Sequence, residues 1–358
     1  MESKKFDFRR YKDCLRDKAF DSINATRSND GFFDDDYSYY SIMDPFLLDI
    51  EKIRNSKSFR RLFYKTHVFS FPDNIYVRNR GFHTEDVVSV ATTIASVCGL
   101  NVNLAAAGAH GHDLGHMPFS HLGEEFMSDK LKMNFHHAIY GAIICGKIER
   151  NRQGLNLCKE TLGAIINHSR ANGELIISEE LPQEYTVVML ADKIAYTFSD
   201  LNDVLLLGYL KKEFFPKEVF SLGQNQREMV MNCIYALCVE SASKGKISFS
   251  CSDVAQTFKF IRDFMYKNVY YKLDRDGIRE EQISYLDGVF SGLLKIGLDK
   301  IQALTFISLM TDLEIKFLFL RFSGDENDFP GINEIKKMIP IDIFDNPPFH
   351  KEEDFCEY

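Results

Sequence analysis

Two adjacent residues, His112 and Asp113, are the part of this chain best suited to metal chemistry. They offer one imidazole nitrogen and one carboxylate oxygen, a ligand pair for a borderline or hard divalent ion. Histidine, the commonest metal ligand, is concentrated around them. Nine of the ten histidines fall within about a hundred residues, where even scatter would place about three. The nine are His67, His83, His110, His112, His116, His121, His136, His137 and His168. The sequence therefore predicts a metal site here.

Two further residues would complete a mononuclear ligand set. His83 lies upstream of the doublet, and Asp192 lies downstream in an otherwise apolar stretch, where an unpaired charge would be costly to bury. Either residue alone is more often a packed or surface group than a ligand. The ordered pattern of H, HD and D favours coordination. Two imidazoles and two carboxylates without a thiolate leave positions for water and substrate, which is typical of a catalytic site.

The elements that must position these residues are helices, because helical periodicity dominates the sequence. Residues 84–98 are predicted to form a helix with Thr84 as N-cap and Gly99 as its stop, so that His83 would lie just before it. The only candidate strands are short, for instance around residues 68–71 and 75–77. Further helices are predicted at about 103–113, 136–149, 159–168, 184–212, 225–243, 252–270, 280–296 and 298–321. The fold class is mainly α.

Composition is that of an ordinary globular protein of 358 residues, with 45% hydrophobic and 27% charged residues. A net charge of −9 argues against nucleic acid as the main partner. The sequence contains no signal peptide and no apolar stretch approaching 18 residues, so we expect a cytoplasmic protein without a membrane partner. Eight cysteines without a CxxC pair predict reduced thiols.

Several motifs now point to a known family. His83, His112-Asp113 and Asp192 occur in the order typical of the HD-domain superfamily of metal-dependent phosphohydrolases. More narrowly, the chain resembles the deoxyguanosine triphosphate triphosphohydrolase family over about residues 44–270. The motifs that carry this resemblance are Asp44-Pro45-Phe46, Lys57-Ser58-Phe59-Arg60-Arg61-Leu62, Lys65-Thr66-His67-Val68-Phe69, Arg78-x-Arg80-x-x-His83, His112-Asp113-Leu114-Gly115-His116-x-Pro118-Phe119-x-His121-x-x-Glu124 and Phe264-Met265-Tyr266-Lys267-Asn268-Val269-Tyr270.

The resemblance implies a fold, a reaction and a cofactor. The fold would be an HD-domain helical bundle with a helical C-terminal extension, and the reaction would convert a deoxynucleoside triphosphate, dGTP or several, to deoxynucleoside and inorganic triphosphate. The cofactor would be a divalent metal ion, Mn or Mg, with Fe, Co or Zn as alternatives. Predicted boundaries are 1–43 for an N-terminal segment with a polar loop, 44–215 for the catalytic core, 216–322 for the extension and 323–358 for a tail.

Proton transfer is assigned to residues just after the doublet. His121 and Glu124 are three apart, so one helical turn would bring them together and the carboxylate could orient the imidazole. The resemblance makes His121 the general acid/base and Glu124 its partner. It also places His116 at the phosphate pocket and His137 where some family members carry another active-site histidine, although its neighbour His136 leaves the register open.

Substrate contacts follow from the resemblance alone. It places Arg80 and Lys193 on the phosphates, Tyr196 under the sugar and Asp200 at the 3′-hydroxyl. The chain has His67 where the family commonly has a glutamine that contacts the sugar. A neutral histidine gives or accepts there, but it cannot do both as an amide does, so the selectivity for sugar and base is open.

Two alternatives remain at this point. One is another HD-domain phosphohydrolase, such as a nucleotidase or a cyclic-nucleotide phosphodiesterase. The other is a non-catalytic nucleotide sensor on the same scaffold. We also expect a homo-oligomer, because family members generally assemble and 31 phenylalanines with 16 tyrosines offer apolar surface for an interface.

Overall fold

The protein is described by a computed structural model that covers residues 11–29, 42–70, 74–169, 177–270, 278–324, 330–338 and 347–358. The prediction of a mainly α fold is confirmed. The helices are α1 Pro45–Asn55, α2 Lys57–Leu62, α3 Arg80–Cys98, α4 Val102–Gly111, α5 His121–Leu131, α6 His137–Ile143, α7 Lys159–Asn167, α8 Gln183–Leu206, α9 Gln226–Lys244, α10 Asp253–Phe264, α11 Ile278–Lys295, α12 Lys300–Ser308, α13 Asp312–Phe322 and α14 Ile332–Met338.

Shorter helical segments connect some of these elements. Two π-helical segments, Ile144–Ile148 and Met265–Tyr270, continue α6 and α10, and a four-residue turn follows at Glu149–Arg152. The 3-10 helices are Arg16–Lys18, Ser22–Asn24, Lys212–Phe214, Lys217–Phe220 and Glu352–Phe355.

The helix that carries His83 begins earlier than predicted. The Asn79 side chain accepts from the backbone N–H of Phe82 and starts α3 at Arg80. The predicted N-cap, Thr84, is wrong: its hydroxyl donates to the Arg80 carbonyl inside the helix. Gly99 ends the helix in the left-handed conformation, as predicted. His83 is therefore fixed in the first turn of a regular helix.

Other boundaries also differ from the predictions. The helix predicted at 298–321 is two helices, because Thr311 caps α13 through a capping box with Glu314. The helix predicted at 184–212 ends at Leu206. The predicted strands are wrong within the described residues 68–70 and 75–77, which form turns and bends, and only an isolated bridge joins Thr66 to Asn79.

The metal-site residues lie where three long helices meet. Helices α3, α4 and α8 pack on one another, and α9 and α10 extend the same hydrophobic core. A second core joins residues 117–148 to α11, α12 and α13. The predicted extension 216–322 thus contributes to both cores, and the predicted domain boundaries remain a proposal. In the described part of the chain, no helix combines the length and apolarity that crossing a membrane requires.

Candidate metal centre and active site

Four predicted ligands converge between α3, α4 and α8. His83 projects from α3, His112 and Asp113 directly follow α4, and Asp192 lies in the middle of α8. His83 Nε2 is 3.1 Å from Asp192 Oδ1 and 3.7 Å from Asp113 Oδ2. His112 Nε2 is 3.4 Å from Asp113 Oδ1 and 3.9 Å from Asp192 Oδ1. Residues separated by 109 positions in sequence therefore share one buried site.

The donor atoms at this point fit a divalent cation. One ligand atom each from His83, His112 and Asp113 lies within 4.8 Å of the other two. His112 Nδ1 donates to the Ala109 carbonyl over 2.7 Å, which leaves a lone pair on Nε2. That nitrogen is fully buried and has no hydrogen-bond partner among the described residues. A carbonyl that fixes the imidazole in this way is typical of metal-binding histidines.

The charge states of the ligands also suit a cation. Burial lowers the pKa of His112, which favours the neutral ring, the form that binds metal. Burial opposes ionisation of Asp113, but His112 and Arg80 hold the pKa of that carboxyl well below its usual range. The pKa of Asp192 is likewise lowered against the effect of burial, chiefly by Lys193. Both carboxylates are ionised at neutral pH.

Arg80 and Lys193 are already engaged with these carboxylates. Arg80 donates to Asp113 Oδ2 over 2.7 Å, to the carbonyls of Thr66 and His67, and to the Ser120 hydroxyl. Four of its five N–H groups are therefore used. Lys193 Nζ donates to Asp192 Oδ2 over 2.9 Å.

Three imidazoles converge on a single oxygen of Glu124. Its Oε1 is 3.0 Å from His116 Nδ1, 3.4 Å from His121 Nδ1 and 2.9 Å from His137 Nδ1. Burial opposes ionisation, but these rings, His137 first, hold the pKa of Glu124 well below its usual range. Glu124 thus lies beside three rings and not only the one predicted, and it is hydrogen-bonded to His137.

Gly115 is the reason that His116 and His137 lie together. A Cβ at Gly115 would lie 2.0 Å from the His137 carbonyl oxygen and 2.3 Å from the Gly141 nitrogen, so no larger residue fits. This close approach brings the His116 ring onto the His137 ring, with centroids 3.8 Å apart and an interplanar angle of 18°. Of the two neighbouring histidines, His137 is the one whose ring stacks on that of His116, and its place in the active site stays a prediction. His136 instead caps α6.

His121 differs from the other histidines in its exposure. Its side chain is 76% exposed in the cleft, whereas His116 and His137 are buried. The protein around it opposes a charge on the ring, but the hydrogen bond with Glu124 raises the pKa of His121. Among the residues around Glu124, His121 therefore combines a favoured imidazolium form with access to a ligand.

A second polar group lies on the same side of α8, two turns from Asp192. Asp200 Oδ2 accepts from the Tyr270 hydroxyl over 2.6 Å, and Asp200 Oδ1 is 3.2 Å from His67 Nδ1. The Tyr196 hydroxyl is 3.2 Å from that of Tyr266. Burial, followed by His83, lowers the pKa of His67 to about 4, so this ring is neutral at physiological pH.

One cleft of about 800 Å³ joins these groups. It is lined by every predicted site residue except His112, which lies fully buried behind it. Three groups near the cleft have no role that the sequence predicts. His168 was noted only as part of the histidine cluster, and Tyr270 only as part of a motif. Asp312, on α13, accepts hydrogen bonds from the backbone amides of Thr66 and Phe119, and no pattern in the sequence predicts these contacts.

The comparisons with known proteins agree with this architecture. The HD domain family matches residues 80–197, which hold all four predicted metal ligands. A deoxyguanosinetriphosphate triphosphohydrolase-like protein of Clostridium perfringens (strain SM101 / Type A) is 38% identical over 231 residues, 63% of this chain and 67% of the relative. Proteins with the same name from Caldanaerobacter subterraneus subsp. tengcongensis and Leptospira interrogans are 34% and 32% identical, covering 66% and 72% of this chain and 69% and 68% of the relatives. The chain belongs to the family of deoxyguanosinetriphosphate triphosphohydrolase-like proteins, which are HD-domain phosphohydrolases.

Proposed function

We propose that the protein hydrolyses a deoxynucleoside triphosphate to deoxynucleoside and inorganic triphosphate. The observation that carries this proposal is the single cleft that joins the metal-site residues to the Asp200 carboxylate. One end of this cleft would bind the phosphates. The other end has a carboxylate and tyrosines that would bind the sugar. The names of the relatives support a guanine deoxynucleotide as one substrate.

The phosphate end would be built by His83, His112, Asp113 and Asp192, which we propose as the ligands of one divalent ion. When bound, such an ion supplies Lewis acidity toward a phosphate oxygen. Lys193 adds positive charge. Burial opposes the charged form of its amine, but Asp192 raises the pKa of Lys193 above its usual value. Arg80 has one N–H left for a ligand, so its main part in this proposal is to hold Asp113.

His121 is the proposed general acid. Water attacks the α-phosphorus, the bond from phosphorus to the 5′-oxygen breaks, and the departing oxygen takes a proton from His121 Nε2. The proton that the attacking water loses passes to the solvent, from which His121 is reprotonated, so that each turnover consumes one water. Glu124 stabilises the imidazolium before transfer, since its Oε1 lies beside Nδ1. His116 and His137, held by the same carboxylate, would form the adjoining wall of the phosphate pocket.

The sugar end is assigned to Asp200, Tyr196 and His67. Asp200 would accept the 3′-hydroxyl, and Tyr196 would lie under the ring. His67 Nδ1 faces the Asp200 carboxylate and must carry the proton there. Only the Nε2 lone pair of His67 is left for a substrate, so this residue would accept a hydrogen bond and not donate one.

A product screen tests the function. The purified full chain is incubated in Mn²⁺ or Mg²⁺ with each deoxy- and ribonucleoside triphosphate and, in separate reactions, with nucleoside monophosphates and cyclic nucleotides. Free nucleoside, triphosphate, orthophosphate and ring-opened nucleotide are measured. The proposal expects equal amounts of nucleoside and triphosphate, and no turnover by Asp113→Ala. Orthophosphate release would support a nucleotidase, ring opening a cyclic-nucleotide phosphodiesterase, and binding without turnover a sensor. Light scattering in the same buffer measures the predicted homo-oligomer.

A further inference from the structure

Three cysteines lie together in the hydrophobic core that α3, α8 and α9 share, and none of them lines the cleft. Cys98 is the last residue of α3 and Cys238 lies on α9, and both side chains are buried. Cys14, in the N-terminal segment, packs against the same core but is only half-buried. The proposed hydrolysis uses none of these thiols.

The sulfur of Cys98 contacts that of Cys238. Their Sγ atoms are 3.9 Å apart, although the two residues are separated by 140 positions in sequence. A covalent sulfur–sulfur bond is about 2.0 Å long, so the two atoms would need to approach by about 2 Å. The packing of α3 on α9 therefore holds two thiols within a short approach of a covalent bond.

Backbone hydrogen bonds hold Cys14 beside Cys98. The Asp13 N–H donates to the Val97 carbonyl over 2.9 Å, and the Leu15 N–H donates to the Cys98 carbonyl over 2.8 Å. Burial, with Cys98 as the second cause, raises the pKa of Cys14 to about 11. The Cys14 thiol is therefore mostly protonated at neutral pH, and it should react slowly with oxidants, because the thiolate is the reactive form.

We propose that Cys98 is the shared partner of two alternative disulfides, one with Cys14 and one with Cys238, which form when a hydroperoxide oxidises Cys14. Cys14 is the point of entry because it is the one member of the three that is exposed in part. The first disulfide would join the N-terminal segment to the end of α3, and the second would join α3 to α9. The inference concerns thiols outside the cleft and does not depend on the nucleotide or the metal.

The oxidation takes place in two steps, and an exchange can follow. The Cys14 thiolate attacks one oxygen of hydrogen peroxide, the oxygen–oxygen bond breaks, and a sulfenic acid forms while the other oxygen leaves as water with the thiol proton. The sulfur of Cys98 then attacks that of Cys14, and the sulfenic hydroxyl leaves as a second water with the proton of Cys98. Two thiols thus lose two electrons to one peroxide. Attack of Cys238 on Cys98 moves the disulfide into the core and returns Cys14 to the thiol with the proton of Cys238.

Disulfide mapping after oxidation tests the proposal. The folded full chain is treated with hydrogen peroxide, the remaining thiols are blocked with N-ethylmaleimide, and the chain is then unfolded, digested and analysed by mass spectrometry. We expect a cross-linked peptide that joins Cys98 to Cys14 or to Cys238. Cys251 is exposed, and oxidation of its own peptide shows that the peroxide has acted. A chain with oxidised Cys251 and no cross-link at Cys98 would overturn the proposal.

Single variants separate the roles of the three thiols. Cys238→Ala should confine the cross-link to Cys14 and Cys98. Cys14→Ala should slow the cross-link between Cys98 and Cys238 by about tenfold or more, because both remaining thiols are buried. An unchanged rate in Cys14→Ala would exclude Cys14 as the point of entry. A cross-link between Cys14 and Cys238 in a folded Cys98→Ala chain would exclude Cys98 as the shared partner.

The matched control is Cys233→Ala. Cys233 is also buried on α9, but burial is the only cause that raises its pKa. This variant should form the wild-type cross-link at the wild-type rate, and loss of the cross-link would contradict the assignment to Cys98. Circular dichroism shows whether each variant folds. If one of them does not, the map of the wild-type chain still decides whether the disulfide forms.

Discussion

The backbone N–H of Thr66 donates to Asp312 Oδ2 over 2.7 Å, which ties the N-terminal motif of the active site to the start of α13. The other oxygen of Asp312 accepts from the Phe119 N–H over 2.9 Å. The Thr66 carbonyl in turn accepts a hydrogen bond from Arg80, and Arg80 donates another to Asp113. A residue of the C-terminal helices thus supports the metal site without touching it.

Replacing Asp312 should weaken both stability and site geometry. Asp312→Ala removes the carboxylate that accepts from the buried amides of Thr66 and Phe119, and we expect a loss of about 3 kcal/mol in the free energy of unfolding. Asp312→Asn keeps one acceptor and should lose less. Urea unfolding with Mn²⁺ titration measures both effects. Wild-type stability in Asp312→Ala would show that these bonds contribute nothing net.

The general acid is tested by removing His121. Because this ring is exposed in the cleft and is not a metal-site residue, His121→Ala should reduce kcat by about 10²–10⁴ while metal content and the fold are unchanged. Glu124→Gln should show at least as large a loss, since it frees three rings from one carboxylate. Single-turnover kinetics separate chemistry from binding. A change confined to KM would reassign His121 to substrate binding.

Selectivity among nucleotides should depend on His67. The variant His67→Gln restores an amide that both gives and accepts, and gaining a hydrogen bond of about 0.5–1.5 kcal/mol would change relative kcat/KM values by roughly 2–13-fold. With a pKa of about 4, His67 stays neutral between pH 6 and pH 8, so the ratio should be the same at both. Identical selectivity in wild type and variant would show that His67 does not contact the substrate.

The fold should lose stability in acid partly because of Glu240, which is far from the predicted metal ligands in sequence. Burial opposes its ionisation, but hydrogen bonds from the Ser248 hydroxyl and the N–H groups of residues 250–252 lower its pKa to about 2 from 4.5. A lowered acid pKa stabilises the fold above pH 4.5, and this contribution is lost as the pH falls toward 2. Glu240→Gln should therefore cost about 3 kcal/mol at pH 7 and progressively less below pH 4.5.

Denaturation of Glu240→Gln at pH 7, 5 and 4 measures this dependence. Glu213→Gln, at an exposed position, serves as the matched control and should leave stability unchanged at every pH. A destabilisation of Glu240→Gln that is the same at pH 7 and pH 4 would assign the effect to packing and not to charge.

Much of the architecture was predictable from the sequence because it depends on local signals. The periodicity that predicts α3 and α8, and the glycine that ends α3, act over a few residues. The H, HD and D pattern was recognisable for a different reason. Metal ligands belong to few residue types, and here they occur in an order typical of one superfamily. Boundaries were less predictable where two signals competed: Asn79 acts as the N-cap of α3, although Thr84 has a suitable side chain too.

Only the tertiary structure decided which distant groups meet. The three imidazoles on Glu124, the contact of His137 with His168, and the support of Thr66 by Asp312 join residues up to 246 positions apart. No local periodicity encodes such contacts, because they arise when separate helices pack and buried polar groups must find partners. The sequence by itself determined the helices, the types of ligand and their order. Packing determined which groups the rings contact, the hydrogen bond from Arg80 to Asp113, and the position of Asp113 between His112 and His116.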